Sequence, residues 1–170
     1  MAKLGVLIVG VNGAVSSTVI AGVELMVKGH TPRIGMVTEK GAAKGQPELA
    51  DLLDLASLDD LVFAGWDMKF ANAYEAAVHH RALPLEKIEL VKEKLQTTKP
   101  WAAISAKGYA DNVEGEHVQK AQSHREQIAG IVEDIKKFCA ANKVDRCVLV
   151  NLASTERWLE VSDQHKTLAA

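Results

Sequence analysis

The sequence predicts an α/β domain on a mostly parallel sheet, and three observations carry that expectation. Residues 4–9 form an apolar run that stops at Gly10, passes through Val11, Asn12 and Gly13, and resumes with helical spacing at Val15, Val19, Gly22, Val23 and Met26. That pattern is a strand, a glycine turn and a helix. Two further short apolar runs, at 61–64 and 146–150, are separated by helical patterns, the order of parallel strands joined by crossovers. All three runs end on small, polar or acidic residues, where ligands of open α/β sheets sit.

The glycine turn is ambiguous by itself. A G-x-G-x-x-G dinucleotide turn would need glycine at 10, 12 and 15, and the chain has Gly10, Asn12 and Val15. A looser G-x-x-G-x-x-small spacing fits: Gly10 for the tight turn, Gly13 for close approach to phosphate, Ser16 for helix-on-strand packing. Asn12 tolerates positive φ and can stand in for a turn glycine. The free N–H groups and positive dipole end of the following helix suit a pyrophosphate. An ordinary βα unit explains the same residues, and they leave both readings open. No Gly-Lys-Ser/Thr follows, which disfavours a P-loop.

With 170 residues, 48% apolar and 25% charged, the chain has the size and composition of one globular domain. A net charge of -2 provides no basic field for nucleic acid. No apolar run reaches membrane-spanning length and residues 1–10 lack signal-peptide regions, so a cytosolic protein is expected. Cys139 and Cys147, without CxxC or a nearby histidine pair, read as reduced, buried thiols, with neither disulfide nor zinc expected. His79 and His80 point about 100° apart on a helix and read as surface residues.

In chain order, Gly29 reads as a helix C′ residue, and Thr31-Pro32 prevent continuation. Residues 33–38, RIGMVT, read as a second strand, with Glu39 near the place of a ribose-binding acid or simply exposed in a loop. Residues 47–60 favour a short helix or turn. Asp67, just past the 61–64 run, is the better candidate for ribose or adenine; its competing role is N-cap of a helix beginning near Phe70. Phe70, Ala73, Tyr74, Ala77 and Val78 form a helical stripe, with Phe70 and Tyr74 expected in the core. A second helix from Pro84 carries Leu85, Ile88, Val91 and Leu95. Residues 96–118 lose periodicity and read as a long loop packed through Trp101, Ile104 and Tyr109, lying over a ligand. A helix at 122–141 puts Ile128, Ile131, Val132, Ile135, Phe138 and Cys139 on one face. The buried strand 146–150 then runs into Asn151-Leu152-Ala153-Ser154-Thr155-Glu156, where Ser154 or Thr155 could equally be a plain N-cap. Residues 159–170 add no further strand and helix repeat.

Three blocks, GVLIVGVNGAVSSTVIAGVELMVKG, FAGWDMKFANAYEAA and VLVNLASTERW, together resemble in the same order the N-terminal part of the inositol-3-phosphate synthase (myo-inositol-1-phosphate synthase) family, in its prokaryotic branch. The resemblance runs over nearly the whole chain. It implies a Rossmann-like NAD-binding fold with a mostly parallel sheet, truncated: a single domain over 1–170 with a loop insertion at about 96–120 and the catalytic domain absent. It implies an isomerase of inositol and phospholipid biosynthesis that converts D-glucose 6-phosphate to 1D-myo-inositol 3-phosphate. NAD takes a hydride from C5, the ketone acidifies C6, an enolate attacks the C1 aldehyde, and the hydride returns. Lysines of the later domain stabilise the oxyanions, and no position here matches them.

Carried across by motif, the resemblance places Gly10, Asn12, Gly13, Ala14 and Val15 at the dinucleotide turn, and Asp67 at the adenosine end. Ala153, Ser154 and Thr155 fall beside the cofactor, and the loop holding Ile104 and Ser105 approaches it. NAD is expected over NADP. A cytoplasmic homo-oligomer, a tetramer in full-length relatives, without nucleic-acid or membrane partners, is implied; no catalytic or metal-binding residue is assigned in this chain. A free-standing, non-catalytic nucleotide-binding module is the alternative. A short-chain dehydrogenase is excluded because it needs Tyr-x-x-x-Lys, and Tyr74 and Tyr109 are followed four residues on by Val78 and Val113.

Overall fold

A computed structural model of the chain describes residues 3–39, 45–53, 55–105, 107, 113–154, 158 and 160–162. Among these residues the sheet has four strands: β1 (Lys3–Val9), β2 (Leu61–Asp67), β3 (Trp101–Ala102) and β4 (Val144–Asn151). They are ordered β3-β2-β1-β4, and every pair is parallel. Two strands therefore lie to one side of β1, and β4, reached after β3, lies on the other. The direction of winding reverses between β1 and β4, which makes their carboxyl ends a topological switch point.

The described residues form six α-helices: α1 (Ala14–Val27), α2 (Leu49–Leu52), α3 (Ala73–His80), α4 (Leu85–Glu89), α5 (Lys92–Thr97) and α6 (His124–Asn142). Successive side chains of β1 point to opposite faces. Ile8 joins Val11, Ile20, Ala21 and Leu25 with Ala73, Ala77, Ile88, Val91 and Leu95, a core under α1 and α3 to α5. Leu7 joins Ala64, Trp66, Phe138 and Val144 under α6. The Trp66 indole N–H also donates to Asp134 on α6 at 2.9 Å. Gly29 closes α1 as expected, with Gly29 N bonded to Met26 O and His30 N to Leu25 O. Tyr74 packs against the first core as expected. Residues 47–60 contain α2 and a 3-10 turn at Leu58–Asp60. No helix among the described residues is long and apolar enough to cross a membrane.

Several expectations are corrected. Residues 33–38 are not a strand: Met36 N bonds Arg33 O, a 3-10 turn follows at Val37–Glu39, and Arg33 grips both oxygens of Glu39 at 3.1 and 3.2 Å. The place beside β1 is held by β2, in register from Leu4↔Leu61 to Val9↔Trp66. Pro32 lacks an N–H, and the ion pair closes the segment on itself, so no ladder forms. The Arg33 guanidinium is held above its ordinary pKa by its bond to Glu39.

The buried side of α1 is Ser16, Ser17, Ile20, Ala21 and Glu24, whereas Val15 and Val19 are 60% and 44% exposed. The two serines can be buried because their hydroxyls donate to Gly10 O and Gly13 O. The helix read from Pro84 is two pieces, α4 and α5, that still bury Ile88, Val91 and Leu95. The long α6 buries only Phe138, and Ile128 and Val132 are exposed. In β4 only Val144 is buried; Val148 and Leu149 are about half exposed because, among the described strands, β4 is paired on its β1 side alone. The aperiodic 96–118 region contains β3 and a parallel bridge between Ala103 and Val118; Tyr109 lies outside the described residues. Cys139 and Cys147 are half-buried free thiols with their sulfurs 3.4 Å apart.

Candidate functional site

The site begins where β1 ends. Gly10 has φ +83, and a Cβ there would stand 2.9 Å from the Leu152 carbonyl oxygen just past β4. Glycine is required on both counts. The same approach is fixed by Leu152 N donating to Val9 O at 2.9 Å, so the two strand-to-loop transitions touch through backbone. Gly13 is the N-cap of α1, and the first helical bond runs from Ser17 N to Gly13 O. The N–H groups of Ala14, Val15 and Ser16 have no intrahelical partner, and no other acceptor is bonded to them among the described residues. Three donors at the positive end of a 14-residue helix, with no acidic residue in its first turn, form an anion seat.

Asn12 does not take the positive φ that the sequence suggests; that conformation is at Gly10. Instead Asn12 is 1% exposed and pins the turn to other elements. Its backbone N–H donates to Asp67 Oδ2 at 2.9 Å. Its side-chain Nδ2 donates to Lys69 O at 2.8 Å and Phe70 O at 3.2 Å, and its carbonyl lies 3.0 Å from His80 Nε2. Its Oδ1 is buried without a partner. The two carbonyls facing Nδ2 fix the amide orientation.

Asp67 closes β2 and holds the loop beyond it: Oδ1 accepts from Met68 N at 2.8 Å and Lys69 N at 3.1 Å. It is not a helix cap, since Asn72 caps α3. Phe70, read as a helical core residue, precedes α3 with φ 61 and faces the cavity. His80, read as a surface residue, is half-buried and stacks edge-on to Phe70.

These elements enclose a crevice of about 320 Å³ at the switch point. Gly10, Asn12, Gly13, Asp67, Ala153 and Ser154 all line it, as does Ile104. Ala14 and Val15 begin α1 beside it. Ser105 is exposed and outside the lining, its Oγ accepting from Lys107 N at 3.3 Å. Thr155 lies outside the described residues. Glu39 is held by Arg33 and takes no part. Sequence reasoning missed Met68, Lys69, Phe70, Val113 and Leu152 as walls. The signal for Met68 to Phe70 was available, since they directly follow a strand; His80, 68 residues from Asn12, had none.

The donor set and walls fit a dinucleotide: backbone amides for a pyrophosphate, apolar Met68, Phe70 and Leu152 for flat rings, and a carboxylate for hydroxyls. A larger cavity, about 660 Å³, borders residues 62–64 in the middle of β2, not the strand ends. Its Lys94 and Lys137 are paired with Glu24 and Glu133. Among the described residues no group of His, Cys, Asp or Glu is placed to hold a metal ion.

Residues 4–170 match an NAD-binding domain model described as myo-inositol-1-phosphate synthase. The chain is similar to inositol-3-phosphate synthase 1 of Bacteroides thetaiotaomicron, 37% identical over 99% of this chain and 40% of that protein. It is 29% identical to inositol-3-phosphate synthase isozyme 1 of Arabidopsis thaliana over 94% of this chain and 35% of the relative. The crystal structure of inositol-3-phosphate synthase from Caenorhabditis elegans superposes with a TM-score of 0.75 at 22% identity, over 95% of this chain and 36% of the other. That likeness supports the Rossmann-like fold. The chain thus spans about two fifths or less of these relatives' length.

Proposed function

We propose, since this chain belongs to the myo-inositol-1-phosphate synthase family, that its crevice holds NAD for an isomerase converting D-glucose 6-phosphate to 1D-myo-inositol 3-phosphate. The observation that carries this reading is the open amide end of α1, set against the Leu152 backbone at the switch point. In it, the amides of Ala14 and Val15 take the pyrophosphate, while Gly10 and Gly13 keep the backbone bare at its approach. Asp67 already accepts three backbone N–H bonds, and a carboxylate has about four acceptor sites, so one is left for a ribose hydroxyl. Its charge opposes a 2′-phosphate, which favours NAD over NADP. Ala153 and Ser154 form the opposite wall, and the family resemblance adds Thr155 and Ser105 as cofactor contacts.

NAD supplies a hydride acceptor that returns the hydride within the same turnover. The chain's own part is to bind and orient it and to keep water from the ring through Met68, Phe70 and Leu152. Cyclisation requires cationic groups at the developing oxyanions, and none of the crevice positions matches the family's lysines, so this chain alone is expected to be inactive. In the whole enzyme we place it in a cytoplasmic homo-oligomer serving inositol and phospholipid biosynthesis, without nucleic-acid or membrane partners.

Calorimetry tests the reading. Saturable one-to-one heat with NAD and at least tenfold weaker NADP binding are expected, with no cyclisation of glucose 6-phosphate. No binding of NAD at millimolar concentration would sink the proposal.

A further inference from the structure

The peptide unit between Asn12 and Gly13 is held at both ends. Its N–H donates to Gly10 O at 3.0 Å, and its oxygen lies 3.0 Å from His80 Nε2. Because the partner is a carbonyl, Nε2 carries the hydrogen and donates it. The ring is steadied by edge-on contacts with Phe70 at 5.7 Å and His79 at 5.1 Å between centroids. His80 is the last residue of α3, and Arg81 ends that helix in the left-handed region with φ 52. The ring thus comes from a second, independently anchored helix.

The clamped peptide leads directly into the first turn of α1. Gly13 has φ −68 and tolerates either sign, so nothing in its own conformation prevents the unit from rotating. Without His80 the oxygen of a residue only 1% exposed is left without a donor. The adjoining open volume is the crevice, which Asn12 and Gly13 both line. Rotation toward it puts the negative end of a carbonyl where the phosphates belong and disturbs the amides of Ala14 and Val15.

We propose that His80 is a positioning residue for the pyrophosphate of the dinucleotide, acting through the Asn12 carbonyl; this rests on the NAD reading of the same crevice. His80 also lines the crevice, but its Nε2 is committed to the Asn12 carbonyl, so it is expected to donate no hydrogen bond to the ligand, and its effect is confined to ligands that carry phosphates.

The test uses the full chain with His80→Ala and His80→Gln, titrated with NAD, ADP-ribose and adenosine. Loss of one hydrogen bond corresponds to about fivefold in affinity. His80→Ala should weaken NAD and ADP-ribose by about fivefold or more and leave adenosine unchanged. His80→Gln, which keeps an N–H donor of similar reach, should return both to within about twofold of the parent. In the ligand-free chain, the Gly13 amide should exchange its hydrogen faster in the alanine variant and at the parent rate in the glutamine variant. Equal losses for adenosine, no loss in His80→Ala, or no rescue by glutamine overturns the proposal. If the parent binds none of the three ligands, the NAD reading fails instead. The Gly13 exchange rates then still decide whether His80 fixes the turn.

Discussion

The seam between β1 and β2 runs in unbroken parallel register and the seam between β1 and β4 in parallel register with one shift between Lys3 and Leu4, and the two are filled differently. At the first seam, backbone meets backbone: Gly65 stands opposite Ile8, and a Cβ there would run into the Ile8 carbonyl. At the second, Gly5 stands opposite Cys147, and a Cβ would meet the Cys147 sulfur and the Phe138 ring, both at 2.7 Å. The loops differ in the same way. The loop after β1 is tied to the β2 end and α3 by Asn12, Asp67 and His80. The loop after β4 is held by Leu152 N to Val9 O and Ala153 N to Asn151 Oδ1. A charged group needs fixed donors more than a flat ring needs a fixed wall, and the rigid seam is the one that carries the amide end of α1.

The largest expected effect is that of Gly65→Ala. Its new methyl has only backbone to displace, and a loss of more than about 4 kcal/mol is expected by urea denaturation. A cost no greater than that of Gly5→Ala would erase the distinction between the seams. Asn12→Asp comes next: it removes both Nδ2 donors and sets a buried carboxylate against two carbonyls, for about 3 kcal/mol or more at neutral pH. Such a group has a raised folded-state pKa, so its destabilisation is full above that pKa and shrinks as pH falls through it. Denaturation at two pH values reads the sign.

At the softer seam, Gly5→Ala should cost only about 1–3 kcal/mol, since a sulfur and a ring edge can shift. A smaller signature lies in Cys147, whose thiol is pushed up to about 11 by burial and by its neighbour Cys139. Labelling at Cys147 should still accelerate between about pH 9 and pH 11, where an ordinary thiol has levelled off. The unfolded chain loses this proton first, so stability should fall as pH rises through that window. A labelling plateau by about pH 9 would show that the sulfur is not shielded. The smallest change is expected from Ser154→Ala, an exposed residue with no hydrogen bond among the described contacts, at within about 0.5 kcal/mol of stability. A loss above about 1 kcal/mol would mean that the second wall is more tightly built than its contacts indicate.

Much of the fold was readable from local pattern. The strand, turn and helix of residues 4–27, the Gly29 cap, the strands after residues 60 and 143, and the long helix before β4 all follow from periodicity and capping chemistry. Gly10, Asn12, Gly13, Asp67, Ala153 and Ser154 do share one crevice. Where reading by pattern failed, a partner was missing or unforeseen. The 33–38 segment has the composition of a strand but closes on itself through a turn and the Arg33–Glu39 pair. Val15 and Val19 share helical spacing with the core, yet Ser16 and Ser17 face inward because two carbonyls await their hydroxyls. Phe70 left its helical stripe for a left-handed conformation at the crevice.

The sequence by itself determined most of the elements, the glycine that the turn requires, and the family whose order of motifs it shares. These depend on neighbours within a few residues, whose spacing is visible in the chain. Only the tertiary structure decided which strand lies beside β1, which face of α1 is buried, and that Asn12 is a tie between segments instead of a substitute glycine. The last rests on hydrogen bonds spanning 55 to 68 residues, from Asn12 to Asp67 and to His80, and the first two on the β1–β2 ladder and on the core that α1 shares with α3 to α5. Such bonds depend on how the folded elements are placed in space, and no local spacing encodes that.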